Sequence, residues 1–350
     1  MSLFTTRKML QVLEQAKPAQ SFLRDRYFSN VEPSTTEHVD IDIVKGKRKL
    51  APFVHPNIGG KTVERAGRTV NSYKAPEVSP DMVTTAEDLM KRAPGEVYGE
   101  NVDPNVRAAR QIGKDLAELD DMITRREEAM CAQALFTGQI LVKGDGYDEV
   151  LQYWPTNPAD QPYVALAAGA RWNEATADVL GDLRGSRRTI MQNSGVSAID
   201  VVLGQDAIDA LLGNEKLQKL LDLRRVDMGQ ISPQELPGGV TYYGHLKGVG
   251  LDLWGYDEWY LDENGDEQPM VPAKSVLIGS PLVRTTMAYG AVSLMRGTEG
   301  NQSVEIHAGR RVPDSWTQRK NPAGRIVQIK SRPLPIIHQI DGFRVLKVLA

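Results

Sequence analysis

The stretch NVDPNVRAARQIGKDLAELDDMITRREEAMCAQALFTGQI, residues 101–140, predicts one unusually long helix over 103–137. Asp103 is a good N-cap, Pro104 suits the first helical position, where its missing N–H is no loss, and Gly138 suits the end. At about 1.5 Å per residue the helix would span roughly 50 Å, several times the average globular helix. Its apolar residues recur at steps of three and four, interrupted by Arg126 and Glu127, and are Ala109, Ile112, Leu116, Leu119, Ile123, Met130 and Ala134.

The composition predicts a globular chain with two or three domains. The chain has 350 residues, of which 41% are hydrophobic and 25% charged, and its formal charge is -3. This charge gives no bulk basic signature of the kind that marks many nucleic-acid binders. The single cysteine, Cys131, cannot form an internal disulfide and is interpreted as a small core residue of an intracellular protein.

Neither membrane insertion nor secretion is indicated. The longest apolar run, YVALAAGA at 163–170, is much shorter than the roughly 20 residues of a membrane span. The N-terminal MSLFTTRKMLQVLEQAK has the pattern of a short amphipathic helix, and charged residues interrupt the apolar run that a signal peptide needs. We therefore expect no membrane partner.

The first 37 residues are predicted to form an arm rich in aromatic side chains. In SFLRDRYFSN, Phe22, Tyr27 and Phe28 flank a charged centre that includes Arg24. A terminal segment with this much apolar surface needs a surface to cover it. That surface is either the arm's own domain or a neighbouring subunit, and the sequence leaves both alternatives open.

Residues 38–80 are predicted to form an extended two-stranded ribbon. Val39, Ile41 and Ile43 alternate with aspartates, and turn residues follow around Gly59. An isolated hairpin is at best marginally stable, so the ribbon needs a partner surface unless it is a solvated hairpin whose charged edge blocks aggregation. Residues 40–74 hold three acidic side chains against eight basic ones, which are Lys45, Lys47, Arg48, Lys49, Lys61, Arg65, Arg68 and Lys74. That excess suggests an acidic partner surface.

The rest of the chain predicts an α+β domain inserted between two parts of another. Residues 81–170 would carry the long helix and end in a Pro-, Gly- and Asn-rich connector at 141–170. In 171–290, Asn173 would cap a helix ending near Gly195, then come the buried strand AIDVVLG, helices at 205–212 and 214–223, and a strand meander with a hairpin turn at Asn264-Gly265. Residues 291–350 return to strands, where Pro333 and Pro335 restrict one segment to a sheet edge or a crossover.

The residues supply no recognisable catalytic, metal or cofactor motif. The five histidines are scattered, no G-x-S-x-G elbow is present, and Cys131 lies in the middle of a helix. H-E-x-x-H, C-x-x-C, Walker A and G-x-G-x-x-G patterns do not occur, and the acidic run at 262–267 lacks the spacing of a calcium loop. We therefore expect no enzyme and no cofactor.

The chain resembles, from end to end, the major capsid (head) proteins of lambda-like tailed phages, which have the Hong Kong 97 type fold. The order and spacing of many stretches carry the resemblance, among them FTTRKML, SFLRDRYF, HVDIDIV, VHPNIGGKTVERAG, LMKRAPGEVYGENVDPNVRAARQI, NEKLQKLLDLRR, GGVTYYG, YLDENG, SVLIGSPLVRTTMAYGAV and VPDSWTQRKNPAGRIVQIKSRPLPIIHQIDGF.

The resemblance implies a structural protein of the virion that self-assembles as pentamers and hexamers into an icosahedral head enclosing double-stranded DNA. It also implies an N-terminal arm (1–37), an extended loop (38–80), a peripheral domain (81–170 and 291–350) with a spine helix at 103–137, and an axial domain (171–290). Arm and loop would lie across neighbouring subunits, so the expected inter-subunit contact residues are Phe22, Arg24, Tyr27, Phe28, Lys61, Arg65 and Arg68.

The implied partners are a scaffold protein, a portal, a decoration protein and packaged DNA held by non-specific proximity, with assembly in the host cytoplasm. Some members of this fold form Lys–Asn crosslinks, but Lys61 and Lys74 have no matched acidic residue, so none is expected. The alternative is a soluble enzyme or small-molecule-binding protein with an unrecognised site in 171–290.

Overall fold

The computed structural model describes residues 9, 10, 13, 21–44, 51, 53, 62, 68–85, 87, 104–144, 147–221, 233–262, 265–298, 301–319 and 323–350. Their helices are α1 Phe22–Tyr27, α2 Pro104–Phe136, α3 Val179–Ser194, α4 Gln205–Leu212 and α5 Glu215–Leu221.

The strands up to residue 256 are β1 Val31–Pro33, β2 His38–Val44, β3 Arg68–Lys74, β4 Asp81–Thr85, β5 Gln139–Gly144, β6 Tyr147–Gln152, β7 Tyr163–Ala165, β8 Asp200–Leu203, β9 Gln234–Leu236, β10 Val240–Leu246 and β11 Leu251–Tyr256. Those that follow are β12 Trp259–Leu261, β13 Glu267–Pro269, β14 Ser275–Gly279, β15 Thr285–Tyr289, β16 Val292–Thr298, β17 Asn301–His307, β18 Val312–Gln318, β19 Gly324–Lys330, β20 Pro333–Ile337 and β21 Arg344–Lys347.

The predicted long helix is present as α2, with 33 residues. Its apolar stripe buries Leu116, Leu119 and Ile123 completely, and the helix packs against β19 and β20. Gly138 follows it in the left-handed region, with φ of 66°. A Cβ on that glycine would lie 2.0 Å from the Trp154 ring, so only glycine fits the predicted end. The predicted cap, Asp103, lies outside the described residues.

A seven-stranded sheet, in the order β7-β21-β14-β8-β11-β10-β9, lies between two cores. Successive side chains of a strand point to opposite faces, so Val202 and Leu277 enter one core while Val201 and Ile278 enter the other. The first core contains α1 and the C-terminal half of α2, and the second contains α3 and α4. Burial on both faces explains why AIDVVLG is apolar except for Asp200.

Several predicted elements of 171–290 are confirmed, and one cap is wrong. The helix predicted at 205–212 is α4, and Gly195 ends α3 with φ of 82° while its N–H donates to the Met191 carbonyl. The N-cap of α3 is Asp178, not Asn173, because the Asp178 carboxylate accepts from the N–H of Gly181 at 3.0 Å. The meander contains the predicted hairpin as β12 and β13; Asn264 lies outside the described residues.

The described residues also form four two-stranded sheets and two three-stranded sheets, the latter in the orders β1-β15-β20 and β18-β19-β4. Pro333 and Pro335 lie in β20, which is an edge strand as predicted. The connector predicted at 141–170 is wrong over its first part, because Gln139–Gly144 pairs with Tyr147–Gln152 as an antiparallel hairpin.

Strand pairing crosses the predicted domain boundaries at 171 and 290. β7 and β21 come from 163–165 and 344–347, yet they extend the sheet built by strands of 171–290. β15, at 285–289, pairs instead with β20 in a different sheet. The division into peripheral and axial domains therefore remains a proposal. Strands from one predicted domain pair with strands from the other, since β14 pairs with β21 and β15 pairs with β20.

The predicted ribbon begins as an antiparallel pair, β2 with β3, in register from His38–Lys74 to Val44–Arg68. Within the described residues these strands pair with no others. The hydroxyl of Tyr73 donates to the Gln152 carbonyl at 2.7 Å, which seats the base of the ribbon on the hairpin β5–β6. Most of the loop between β2 and β3, including Gly59, lies outside the described residues.

Candidate functional site

The arm is fastened to the long helix through α1. The backbone N–H groups of Leu23 and Arg24 donate to the buried carboxylate of Glu128 at 2.6 and 2.9 Å. These amides belong to the first turn of α1, where no intrahelical acceptor is available. Glu128 therefore accepts the hydrogen bonds of the first-turn N–H groups of α1, although it lies more than one hundred residues away in the sequence.

A second carboxylate of the long helix, Glu127, is the centre of a buried ionic cluster. One oxygen accepts from Arg24 Nη1 at 2.8 Å and lies 3.4 Å from Arg310 Nη2. The other accepts from Arg311 and from the Tyr289 hydroxyl. Burial alone would raise the pKa of Glu127, but the positive charges of the three arginines outweigh it and lower that pKa.

Burial has the opposite outcome at Glu128, where it raises the pKa of the carboxyl to about 7 even though two backbone N–H groups bond to it. Burial also raises the pKa of the Cys131 thiol, which therefore stays protonated at neutral pH. The pKa values of these adjacent carboxyl groups therefore shift in opposite directions, because arginine charges outweigh burial at Glu127 whereas burial outweighs the hydrogen bonds at Glu128.

A third buried carboxylate holds the other side of α1. Arg26 forms a bidentate contact with Asp200 of β8, with both N–O distances 2.7 Å. The same guanidinium lies 4.4 Å from the Trp254 ring centroid, a cation–π geometry. The six residues of α1 therefore join the long helix to the seven-stranded sheet.

The contact residues predicted in the arm lie mostly inside their own subunit. Tyr27 and Phe28 are 2% and 1% exposed, and Arg24 is held by Glu127, so these three have almost no surface left for a neighbour. Their contact with a neighbouring subunit stays a prediction, and the subunit core already covers their side chains. Phe22 is half-buried against the rings of Trp254 and Tyr256.

The predicted ribbon residues are Lys61, Arg65 and Arg68. Lys61 and Arg65 lie outside the described residues, and Arg68 begins β3. They remain predicted contacts. Sequence reasoning missed the anchors Glu128 and Asp200, and it noted Glu127 only as an interruption of the apolar stripe. A carboxylate on the buried side of a helix is a signal for a buried cation partner.

Exposed apolar side chains gather on one face of the hairpin β16–β17. The strand register pairs Met295 with Val304 and Ser293 with Ile306, which puts the three large apolar side chains on one face. On the opposite face, Val292 and Leu294 are buried against Val312 of β18. Met295, Val304 and Ile306 form what we call the apolar hairpin face.

A protein-family model described as phage major capsid protein E matches residues 5–348. The chain belongs to this family. The major capsid protein of Enterobacteria phage P21 is 23% identical over 350 residues, covering 99% of this chain and 100% of the relative. That of Escherichia phage lambda is 22% identical over 345 residues, covering 98% of both.

Comparison with solved structures supports the same fold. The crystal structure of a prophage capsid protein from Escherichia coli CFT073 matches with a TM-score of 0.72 and 18% identity, over 100% of both chains. The predicted Hong Kong 97 type capsid fold is therefore confirmed. The chain is a major capsid protein of the lambda-like family and a structural component of the virion. The capsid is assembled from many copies of it.

Membership of a capsid family argues against catalysis by this capsid protein. A cavity of about 540 Å³ lies where residues 158–164, α3 and residues 341–344 meet, and its lining includes neither histidine nor cysteine. In the described part of the chain, no group of three His, Cys, Asp or Glu side chains is placed to hold a metal ion. Among the described helices, none has the length and apolar character needed to cross a membrane.

Proposed function

We propose that this capsid protein assembles as pentamers and hexamers into the icosahedral head shell of a tailed phage, around double-stranded DNA. The apolar hairpin face is the observation that supports contacts between copies. Three large apolar side chains lie in water on a hairpin whose other face already buries Val292 and Leu294. Contiguous exposed apolar patches of this kind mark interaction sites.

Repetition explains how weak contacts suffice for a closed shell. Met295, Val304 and Ile306 supply less apolar surface than the roughly 800 Å² per partner of a standard interface. The ribbon supplies a further surface, since it pairs only with itself in the described residues. Heterologous contacts repeated around a rotation axis close into rings, so several modest surfaces add up in each copy.

The basic ribbon is proposed as one such contact, through Lys61, Arg65 and Arg68, and Phe22 is proposed to contribute from the arm. Replacing the three basic residues by glutamate should impair assembly and leave the subunit folded, because a reversed charge repels an acidic neighbour. Negative-stain microscopy and sedimentation would measure particles, and circular dichroism would check the fold.

A matched control reverses three exposed basic residues of α2, Arg110, Lys114 and Arg125, and gives the same change of net charge. Particles should form normally with this control. Normal particles from the ribbon variant as well would contradict the proposed ribbon contact.

The remaining partners follow from the same assembly. A scaffold protein, a portal and a decoration protein are proposed to act with the shell, and assembly is proposed to take place in the host cytoplasm. The formal charge of -3 favours packaged DNA held near the inner surface without a strong basic binding site.

A further inference from the structure

The hairpin β12–β13 carries a surface that the subunit leaves uncovered. Trp259 and Leu261 lie two residues apart on one strand, so both side chains are on the same face, and they are 47% and 67% exposed. The two strands pair with each other and with no other strand in the described part of the chain. Large exposed apolar side chains on an unpartnered sheet face need a covering surface.

The same hairpin is strongly acidic. Residues 256–269 contain no Lys, Arg or His, and their six acidic residues are Asp257, Glu258, Asp262, Glu263, Asp266 and Glu267. Asp257 accepts from the Trp259 indole N–H at 2.8 Å and Glu258 accepts from the Tyr256 hydroxyl at 2.6 Å, which fixes the base of the hairpin. Among the described residues, no lysine or arginine forms an ion pair with Asp257, Glu258, Asp266 or Glu267.

The hairpin also adjoins an open groove. The Asp257 N–H donates to the carbonyl of Gly239 at 2.9 Å, in the turn between β9 and β10. That turn lines a groove of about 450 Å³ together with Phe22, Arg26 and Leu236. Hairpin and groove could thus accept an extended segment that brings both positive charge and apolar atoms.

On the basis of the self-assembly proposed above, we propose that the hairpin at 256–269 is the docking surface for the basic ribbon of a neighbouring copy. The ribbon matches it in charge, with eight basic against three acidic residues in 40–74. It also matches in form, because β2 and β3 leave long strand edges and lack a partner sheet in the described residues.

The occupant is a second copy rather than the subunit's own ribbon. The base of the ribbon packs on the hairpin β5–β6 and the residue after it, through the Tyr73 hydroxyl and the tilted contact between the rings of Tyr73 and Tyr153. Within the described residues, β2 and β3 pair only with each other. A contact between two different surfaces of identical copies is heterologous, and its repetition closes a ring of the kind that a pentamer or hexamer needs.

Charge and apolar contact have separate roles in this docking. Exposed ion pairs contribute little affinity each and are screened by salt, so the opposite charges set orientation and choice of partner. Burial of Trp259 and Leu261 by the incoming ribbon supplies the affinity, since an aromatic anchor near the centre of a contact usually dominates it.

Two complementary variants test the pairing without requiring a complete shell. The ribbon-reversed variant carries Lys61→Glu, Arg65→Glu and Arg68→Glu. The hairpin-reversed variant carries Glu263→Lys, Asp266→Lys and Glu267→Lys; it leaves Asp257 and Glu258, which bond to their neighbours, in place. Circular dichroism and tryptophan fluorescence would establish that both fold.

Sedimentation velocity at low salt should show that neither variant self-associates, because each meets its own charge. A mixture of the two should associate at least about tenfold more tightly than either alone, and about 0.5 M salt should weaken that association. A control variant with Glu118→Lys, Asp148→Lys and Glu149→Lys makes the same change of net charge at exposed sites elsewhere. It should not associate with the ribbon-reversed variant.

The chain with all six changes should assemble as the wild type does. Equal association of the ribbon-reversed variant with the control and with the hairpin-reversed variant would overturn the docking, because bulk charge would then explain it. No association in any mixture would overturn it too. Wild-type shells alongside such a failure would leave the proposed function standing. Selective pairing from a wild type that forms neither rings nor shells, even when its scaffold protein is present, would instead reject the proposed function.

Discussion

Replacing Glu127 by glutamine should destabilise the subunit strongly. The side chain of Glu127 is fully buried, and its charge balances Arg24 and Arg311, whose side chains are only 9% and 8% exposed. Glutamine has nearly the same shape but no charge, so it leaves two guanidinium groups short of an anion in a water-poor region. Breaking a buried ion pair by removing one partner costs about 3–5 kcal/mol.

The contacts that remain favour the lower part of this range. Arg311 keeps Asp120, with an N–O distance of 2.5 Å, and Arg24 keeps the exposed Asp25 at 2.7 Å. The glutamine oxygen can still accept one hydrogen bond, and a bond to a charged group contributes about 1.5–3 kcal/mol. We therefore expect the free energy of unfolding to fall by about 3 kcal/mol.

Urea unfolding of the unassembled subunit at pH 7.5, followed by circular dichroism, measures this loss. Glu118→Gln is the matched control, since Glu118 is exposed on the same helix and should change stability by less than about 0.5 kcal/mol. A double-mutant cycle with Arg24→Gln should show coupling between the two sites. A loss below about 1 kcal/mol in Glu127→Gln would refute the central role of this carboxylate.

Three further predictions concern pH, backbone and core. Because burial raises the pKa of Glu128 from 4.5 to about 7, its neutral form favours folding below pH 4.5, and that stability is lost as the pH rises through 7. Urea unfolding of Glu128→Gln should therefore show its stability relative to the wild type rising by about 3 kcal/mol between pH 4.5 and 8. Gly138→Ala should destabilise by more than about 1 kcal/mol in thermal melts, whereas Gly113→Ala, with open space around it inside α2, should stabilise by about 0.5–1 kcal/mol. Leu119→Ala should lower the unfolding free energy by about 2–5 kcal/mol and Met122→Ala, exposed on the same helix, by much less, as chemical denaturation would show.

The elements that the sequence predicts well are those whose signals are local. The stripe of α2, the glycine after its last turn and the prolines of β20 each act within a few residues, and each has the predicted consequence. The hairpin β5–β6 was missed because its strands are short and its neighbours are rich in Pro, Gly and Asn. Its pairing of Ile140 with Leu151 buries both residues in the first core, a tertiary contact without a local signature.

The position of the arm depended on partners too distant in sequence to be inferred. The aromatic residues of SFLRDRYF favour burial on any apolar surface, so the sequence alone could not separate the subunit's own core from a neighbour. The deciding groups are Glu127 and Glu128, which bind Arg24 and the start of α1 from over one hundred residues away. Burying a carboxylate without a cation costs folding free energy. Arg24 of the arm supplies that cation to Glu127 of the long helix within the same copy.

Because the arm binds to its own subunit, other surfaces must supply the contacts between copies. The charged and aromatic residues of α1, which suggested a contact between copies, instead join α2 to the seven-stranded sheet. Arg24 binds Glu127 of α2, and Arg26 binds Asp200 of the sheet. Among the described residues, the subunit leaves exposed the apolar hairpin face and the Trp259 and Leu261 side chains of the acidic hairpin β12–β13. A rigid interior with uncovered hairpins suits a shell protein, because a surface can match an identical copy repeatedly only if the body that carries it keeps its shape.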